Sequence, residues 1–331
     1  MPSVSAILPV FNGRRFLLNA VRSVLAQTLP PCELIVVDDG STDGSLSELE
    51  GLSAPFPIRV LRQDNAGQSA ARNLAARQAE GEYLAFLDQD DQWHPRHLEQ
   101  LVEPLEADPA VGWAYSDFDE IDFEGNLVTR AFLCQQGVKN PKRTIFECVA
   151  SDLMVLPSAS LVRRSAFEQA GGFDEVLSGY EDDDLFVRFF RLGWEHVFVE
   201  RTLLRFRIHS NGSSASRRFI DSRMRYAEKL AAMLPDNPRM LRYYVPDAIA
   251  PRFFFTSLDD YVRACSERDW EGARLALEAV NHFARLRRQG LRLRWKLLWI
   301  QHPRLFRMLV ALNDRLPYRA RFVRNPTVTL R

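Results

Sequence analysis

The sequence predicts an α/β protein: a parallel sheet that continues into a mixed sheet, followed by a helical C-terminal region. Three observations predict it. Short apolar runs alternate with helically spaced segments as far as Asp91. Beyond Asp91 the runs are broken by turn residues, as in hairpins. From Ile220 onward the apolar pattern is helical throughout. Strands that alternate with helices imply parallel pairing through crossover connections, whereas runs joined by tight turns imply antiparallel neighbours.

Val4 to Val10 is a continuous apolar run and reads as a strand buried on both faces. Asn12-Gly13 breaks it. Phe16, Leu17, Ala20, Val21, Val24 and Leu25 then follow helical spacing, stopped by Pro30-Pro31. Glu33 to Val37 is the second strand, Leu46 to Leu52 a short helix, and Ile58 to Leu61 the third strand. Gln68 to Gln78 reads as a helix and Glu82 to Leu87 as the fourth strand. Arg96 to Glu106 is helical. Gly112 to Asp117 and Phe118 to Val128 read as two strands, with a turn at Glu124-Gly125-Asn126. Ser158 to Val162 is a strand and Ser165 to Ala170 a helix stopped by Gly171-Gly172. Asp182 to Leu192 is a helix, and His196 to Val199 and Leu203 to Ile208 are strands.

The chain has 331 residues, enough for one large domain and an appendage. Net charge is zero but unevenly spread: Arg285 to Arg331 holds thirteen Lys or Arg and one acid, Asp314. Cys32, Cys134, Cys148 and Cys265 are scattered without metal-ligand spacing and read as small buried thiols of a reducing compartment. Met1 to Ala6 lacks the basic start of a signal peptide, and no apolar stretch is long enough to span a bilayer. These features predict a cytoplasmic protein.

Chemistry concentrates in acidic clusters. Val36-Val37-Asp38-Asp39-Gly40-Ser41 and Phe86-Leu87-Asp88-Gln89-Asp90-Asp91 are each an apolar run ending in carboxylates. Acids gathered where buried strands end are costly unless a positive group sits there. The natural guest is a divalent ion with a nucleotide diphosphate. A third segment is Asn65-Ala66-Gly67-Gln68-Ser69-Ala70-Ala71-Arg72-Asn73, and a fourth is Glu181-Asp182-Asp183-Asp184-Leu185-Phe186-Val187-Arg188. Each has a plainer reading. Asp39-Gly40-Ser41 alone is a turn with a helix cap at Ser41 or Thr42, Arg72 a solvated arginine, and residues 181–184 a favourable acidic helix start. The order of the four motifs favours the chemical reading.

That order resembles the family 2 glycosyltransferases, inverting nucleotide-sugar enzymes with a GT-A fold. The resemblance runs from about Val4 to His209. It implies a catalytic domain over 1–215, with a nucleotide-sugar half (1–91) and an acceptor half (92–215); residues 216–331, which the resemblance does not reach, read from their own pattern as a basic helical region. By resemblance, Pro9, Phe11 and Asp39 line the base pocket, Arg72 lies near the nucleotide, and Asp88 contacts the ribose side. Asp90 of the DxD signature binds Mn2+ or Mg2+, and His209 joins the metal or the diphosphate. Asp91 is read as a cap for the helix that Pro95 helps to start. Asp182 is the general base that takes the acceptor proton. On the residues' own chemistry, Glu181 orients the acceptor or a neighbouring backbone, and Trp93 offers the acceptor a stacking face, although packing is the commoner use of tryptophan. The implied donor is a UDP- or dTDP-sugar, and the implied acceptor a glycan or lipid-linked hydroxyl of surface polysaccharide.

Two rivals are weaker. A sugar nucleotidyltransferase needs a glycine- and arginine-rich phosphate loop near its start, and Leu8 to Arg15 offers only Gly13. A non-catalytic scaffold would be expected to have lost Asp90 or Asp182, and both are present. Leu291 to Ile300 mixes basic with large apolar residues and resembles a segment lying on an anionic membrane, against the alternative of a cap packed on the catalytic domain. No nucleic-acid motif accompanies the basic charge.

Overall fold

The computed structural model describes residues 2–209 and 218–287. These fall into two compact units, one of residues 2–145 and 153–209, the other of residues 146–152 and 218–287.

The first unit is built on one sheet. Its elements are β1 (Val4–Val10), α1 (Arg14–Leu25), β2 (Glu33–Asp38), β3 (Ile58–Arg62), α2 (Gln68–Gln78), β4 (Tyr83–Phe86), β5 (Gln92–Trp93), α3 (His97–Ala107), β6 (Val111–Ile121), β7 (Leu127–Thr129) and α4 (Phe132–Gln135). After α5 (Ile145–Ala150), which falls almost wholly in the second unit, come β8 (Ser160–Arg163), α6 (Arg164–Ala170), α7 (Glu181–Arg191) and β9 (Glu195–Arg207). The strand order is β3-β2-β1-β4-β8-β6-β9-β5, with β7 on β6. β3, β2, β1 and β4 pair in parallel. β8 is antiparallel to β4 and β6, β9 runs parallel to β6, and β5 is antiparallel to β9. The parallel sheet therefore runs into a mixed one, as the sequence predicts.

The local reasons are visible residue by residue. β1, β2 and β4 are buried along their whole length, which is why they read as unbroken apolar runs. α1 buries Leu17, Ala20, Val21 and Val24, one face at helical spacing. α2 buries Ala70, Ala71, Ala75 and Ala76, small side chains that let its backbone approach the sheet closely.

Where two strands were expected over 112–128, one strand of eleven residues runs through to Ile121. Likewise β9 is a single strand where two were expected. The register shows why. Ser116 pairs with Val199, but Asp117 pairs with Thr202, so Glu200 and Arg201 bulge out. The bulge absorbs the polar interruption without ending either strand. Asp117 is buried there, accepting from the backbone N–H of Phe118 (2.7 Å), Leu133 (2.8 Å) and Cys134 (3.0 Å). The expected turn is present: Asp122 and Asn126 close it, with Gly125 at φ 91°. The helix expected over 46–52 is only a 3-10 turn at Ser45–Leu49. β5, α4 and α5 were not anticipated, being too short for a periodic signal.

The second unit is helical: α8 (Arg218–Met233), α9 (Ala250–Glu267) and α10 (Trp270–Leu286), with a 3-10 turn at Pro238–Met240 and a π turn at Val245–Ile249. The rings of Tyr226, Phe253 and Phe283 form its centre, with centroids 5.9 and 5.6 Å apart. Buried Arg223 pairs with Asp260 at 2.6 Å. Asp269 caps α10 by accepting from Gly272 N–H at 3.0 Å. Among the described residues no helix is long and apolar enough to cross a membrane. Cys148 and Cys265 are buried thiols as expected, whereas Cys32 and Cys134 are exposed. Residues 288–331, which carry most of the basic segment, lie outside the described residues.

Candidate functional site

The candidate site forms at the carboxyl ends of β1, β2 and β4, where open parallel sheets bind ligands. Two loops meet there and are stitched together. Asn12 N–H donates to Ser41 Oγ (3.0 Å), and Thr42 N–H donates to Asn12 Oδ1 (2.8 Å). Gly13 N–H donates to Ser45 Oγ (3.0 Å) and Arg14 N–H to Asp43 Oδ2 (3.0 Å). Pro9 closes β1 inside the sheet, and Phe11 stands half exposed just beyond it. Ser41 and Thr42 cap no helix. Asp38 instead closes the turn by accepting from Ser41 N–H at 2.9 Å.

Asp39 is buried and already serves the fold. Its Oδ1 accepts from Gln63 Nε2 (2.7 Å) and Ala66 N–H (2.8 Å), and its Oδ2 from Gly67 N–H (2.9 Å). These bonds hold the loop that leads into α2. A carboxylate has about four lone-pair positions. With three used, one on Oδ2 remains for a ligand N–H.

The four side chains of residues 88–91 reach four different places. Asp88 accepts from the Arg72 guanidinium on α2. Gln89 bonds the Phe11 backbone beyond β1. Asp90 Oδ2 lies 2.8 Å from His209 Nε2, just past β9. Asp91 Oδ1 accepts from Arg207 N–H at 3.0 Å. Asp91 therefore ties the loop to β9 and does not cap α3, contrary to the sequence reading. Beneath the loop, Ser158 Oγ accepts from Asp88 N–H (3.0 Å), and Ser158 O accepts from Trp93 Nε1 (2.8 Å).

The acidic helix start joins this site through Arg72. The guanidinium is buried, with Nη2 on Asp88 and Nη1 3.4 Å from Glu181 Oε1. Burial alone would lower its pKa; the adjacent Asp88 and Glu181 outweigh that and hold it raised. Glu181 also accepts from Gln68 Nε2 and, through Oε2, from Gly179 N–H (2.8 Å). Gly179 and Tyr180 both take positive φ, 110° and 65°, to turn the chain into α7. For Tyr180 that conformation costs on the order of 1–2 kcal/mol. Asp182, next in line, is half-buried, and its Oδ1 accepts from Asp183 N–H at 2.8 Å.

The neighbouring acids are structural. Asp183 accepts from Leu153 N–H at 2.9 Å. Asp184 is fully buried against Arg188 (2.7 Å), whose Nη2 also donates to Gly172 O at 2.7 Å.

Burial and the nearby Asp88 push the Asp90 carboxyl up, partly offset by His209. Burial, Asp90 and Asp88 push Asp91 further up. A cation relieves such a cluster. Among the described residues no three His, Cys, Asp or Glu side chains converge as a complete ion cage. Asp90 and His209 nonetheless present one carboxylate oxygen and one imidazole nitrogen together, and a diphosphate would supply the remaining oxygens. The donor set fits Mn2+ or Mg2+ on those terms.

Another sequence expectation is corrected. Trp93 offers no stacking face: it is buried, stacked on His97 with centroids 4.6 Å apart, and its Nε1 is engaged by Ser158 O. Arg72 is buried between Asp88 and Glu181, which rules out the plainer reading of a solvated arginine. Sequence reasoning missed Gln63, Gln68, Gln89 and Ser158, neutral residues whose roles depend on partners far away in the chain. A cavity of about 400 Å³ lined by Asp119, Leu127, Arg130 and Arg205 contains none of the predicted site residues.

Residues 5–171 match the family described as Glycosyl transferase family 2. The chain belongs to glycosyl transferase family 2. An uncharacterised glycosyltransferase of Rickettsia conorii, RC0461, is 32% identical over 212 residues, covering 64% of this chain and 35% of that protein. Chondroitin synthase of Escherichia coli is 28% identical over 199 residues, 60% of this chain and 28% of that one. The chain thus spans about a third or less of these longer relatives. Staphylococcus aureus TarS 1–349, solved with UDP-GlcNAc, superposes with a TM-score of 0.65 at 17% identity, covering 95% of this chain and 91% of that one. At that identity the likeness speaks for the fold alone, an α/β sheet with a helical C-terminal region.

Proposed function

We propose that this chain is an inverting, metal-dependent glycosyltransferase. It adds a single sugar from a UDP- or dTDP-sugar to a hydroxyl of a cell-surface glycan precursor. The observation that carries this reading is the buried Arg72 bridge. It joins Asp88 of the DxD loop to Glu181, the neighbour of Asp182, so donor and acceptor motifs share one site. TarS in complex with UDP supports the nucleotide-sugar donor, and the likeness to chondroitin synthase supports a glycan acceptor.

Each residue then has a task. Pro9 and Phe11 border the base, and the remaining lone pair on Asp39 accepts the imide N–H of uracil or thymine. Asp88 faces the ribose, held by Arg72. Asp182 takes the proton of the acceptor hydroxyl as its oxygen bonds to the anomeric carbon, while the bond from that carbon to the diphosphate breaks. Attack from the face opposite the leaving group inverts the centre. Asp90 and His209 would hold Mn2+ or Mg2+, which when bound neutralises charge on the departing diphosphate. The basic tail is assigned to an anionic membrane surface that carries a lipid-linked acceptor.

A thermal-shift screen of nucleotide sugars tests the reading. A bound ligand raises apparent stability by mass action. The expected result is a shift with one UDP- or dTDP-sugar that requires Mn2+ or Mg2+ and disappears in Asp90→Asn. A metal-independent shift that survives in Asp90→Asn would reject the metal assignment.

A further inference from the structure

Gln89, the central residue of the DxD loop, makes a pair of bonds that nothing in the reaction itself requires. Its Oε1 accepts from Phe11 N–H at 2.9 Å, and its Nε2 donates to Phe11 O at 3.1 Å. The side-chain amide thus pairs with both backbone groups of Phe11, as a neighbouring strand would. Gly13 lies against the same amide: a Cβ built on Gly13 would sit 2.1 Å from Gln89 Oε1 and 2.6 Å from its Cδ. The Gly13 backbone, at φ −99° and ψ 11°, is open to any residue. The three heavy atoms nearest that position all belong to the Gln89 side chain, so any larger residue at 13 must displace the amide.

We propose that Gln89 is a positioning residue that latches the base-binding loop to the metal-binding loop. This rests on the nucleotide-sugar reading above. Asn12 is already tied to the β2 loop through Ser41 and Thr42. The latch secures the other flank of that loop, setting Phe11 against the base while Asp88 and Asp90 face the rest of the donor. Without it the Phe11 segment must be ordered at the moment of binding, and affinity falls by that cost. The chemistry at Asp182 is untouched, so KM rises and kcat holds.

The experiment uses the full chain and calorimetric binding of UDP and dTDP with Mn2+. Gln89→Ala should weaken the preferred nucleotide roughly tenfold, the scale of two neutral hydrogen bonds. Gly13→Ala should do the same by displacing the amide, and the double variant should be no weaker than either single one. A thermal melt of each variant, with titrations run well below its midpoint, separates latch loss from unfolding. Wild-type affinity in a folded Gln89→Ala overturns the latch alone, as do additive losses in the double variant. Failure of the wild-type protein to bind either nucleotide overturns the donor reading and the latch with it.

Discussion

Arg72 and Glu181 meet at 3.4 Å with both side chains buried, one from α2 and one from the first turn of α7. Removing one partner of a buried pair leaves an uncompensated charge, at a cost of about 3–5 kcal/mol. Arg72→Leu should therefore lower unfolding stability by roughly that amount. Adding Glu181→Leu should recover part of it. Urea denaturation of the single and double variants measures both. A double variant no better than Arg72→Leu would show that the pair is not what the arginine stabilises.

Asp182→Asn separates binding from chemistry. Asn keeps an oxygen to accept Asp183 N–H, now at 2.8 Å, so the first turn of α7 should persist. Donor affinity should be unchanged while transfer falls by ~10²-fold or more, the usual scale for an acid–base group. A fall in donor affinity equal to the fall in rate would make Asp182 a binding residue instead.

His97 predicts the acid limb of stability. Burial lowers its pKa to about 3, and its Nδ1 lies 3.1 Å from Leu203 O. The folded protein keeps the ring neutral, whereas the unfolded chain binds a proton below about 6.5. Stability should thus be full above that pH, decline as pH falls, and level off near the folded value. By pH 5 the loss from this group is roughly 2 kcal/mol. His97→Phe should flatten the decline between pH 6.5 and 5 in a denaturation series. An unchanged slope would place the acid sensitivity elsewhere.

α10 ends at Leu286, before most of the basic segment. Arg285 belongs to α10, and the Arg287 guanidinium lies 4.5 Å from the Phe254 ring centroid and 4.9 Å from that of Phe255. Truncation after Arg287 therefore keeps every described residue of the second unit and removes residues 288–331. Each basic residue near an anionic surface contributes about 1 kcal/mol. The full chain should sediment with anionic liposomes in a salt-sensitive manner, and the truncated chain should not. Liposome binding that survives truncation would move the contact to another surface.

The sequence by itself determined the parallel half of the sheet and the addresses of the acids. β1, β2 and β4 are legible because a strand buried on both faces must be apolar throughout. α2 is legible because Gly67 and the alanines mark its start and its sheet-facing side. The motifs at 38–39, 88–91 and 181–184 stand at element boundaries, where local signals are strong. Tertiary structure decided what most of those acids do. The sequence separates Asp182 and Asp90 from Asp183, Asp184 and Asp91 by resemblance alone, since all five are acids at element boundaries. The latter three differ in the partner that burial brings them: Leu153 N–H, Arg188 and Arg207 N–H. Trp93 moved from a stacking candidate into the core for the same reason, having met His97 and Ser158 there. A buried polar group is defined by the group that satisfies it. For Asp184 that partner is the i+4 arginine of its own helix, which the sequence spacing does encode; for Asp183, Asp91 and Trp93 it is set by packing between distant segments, which no local spacing encodes.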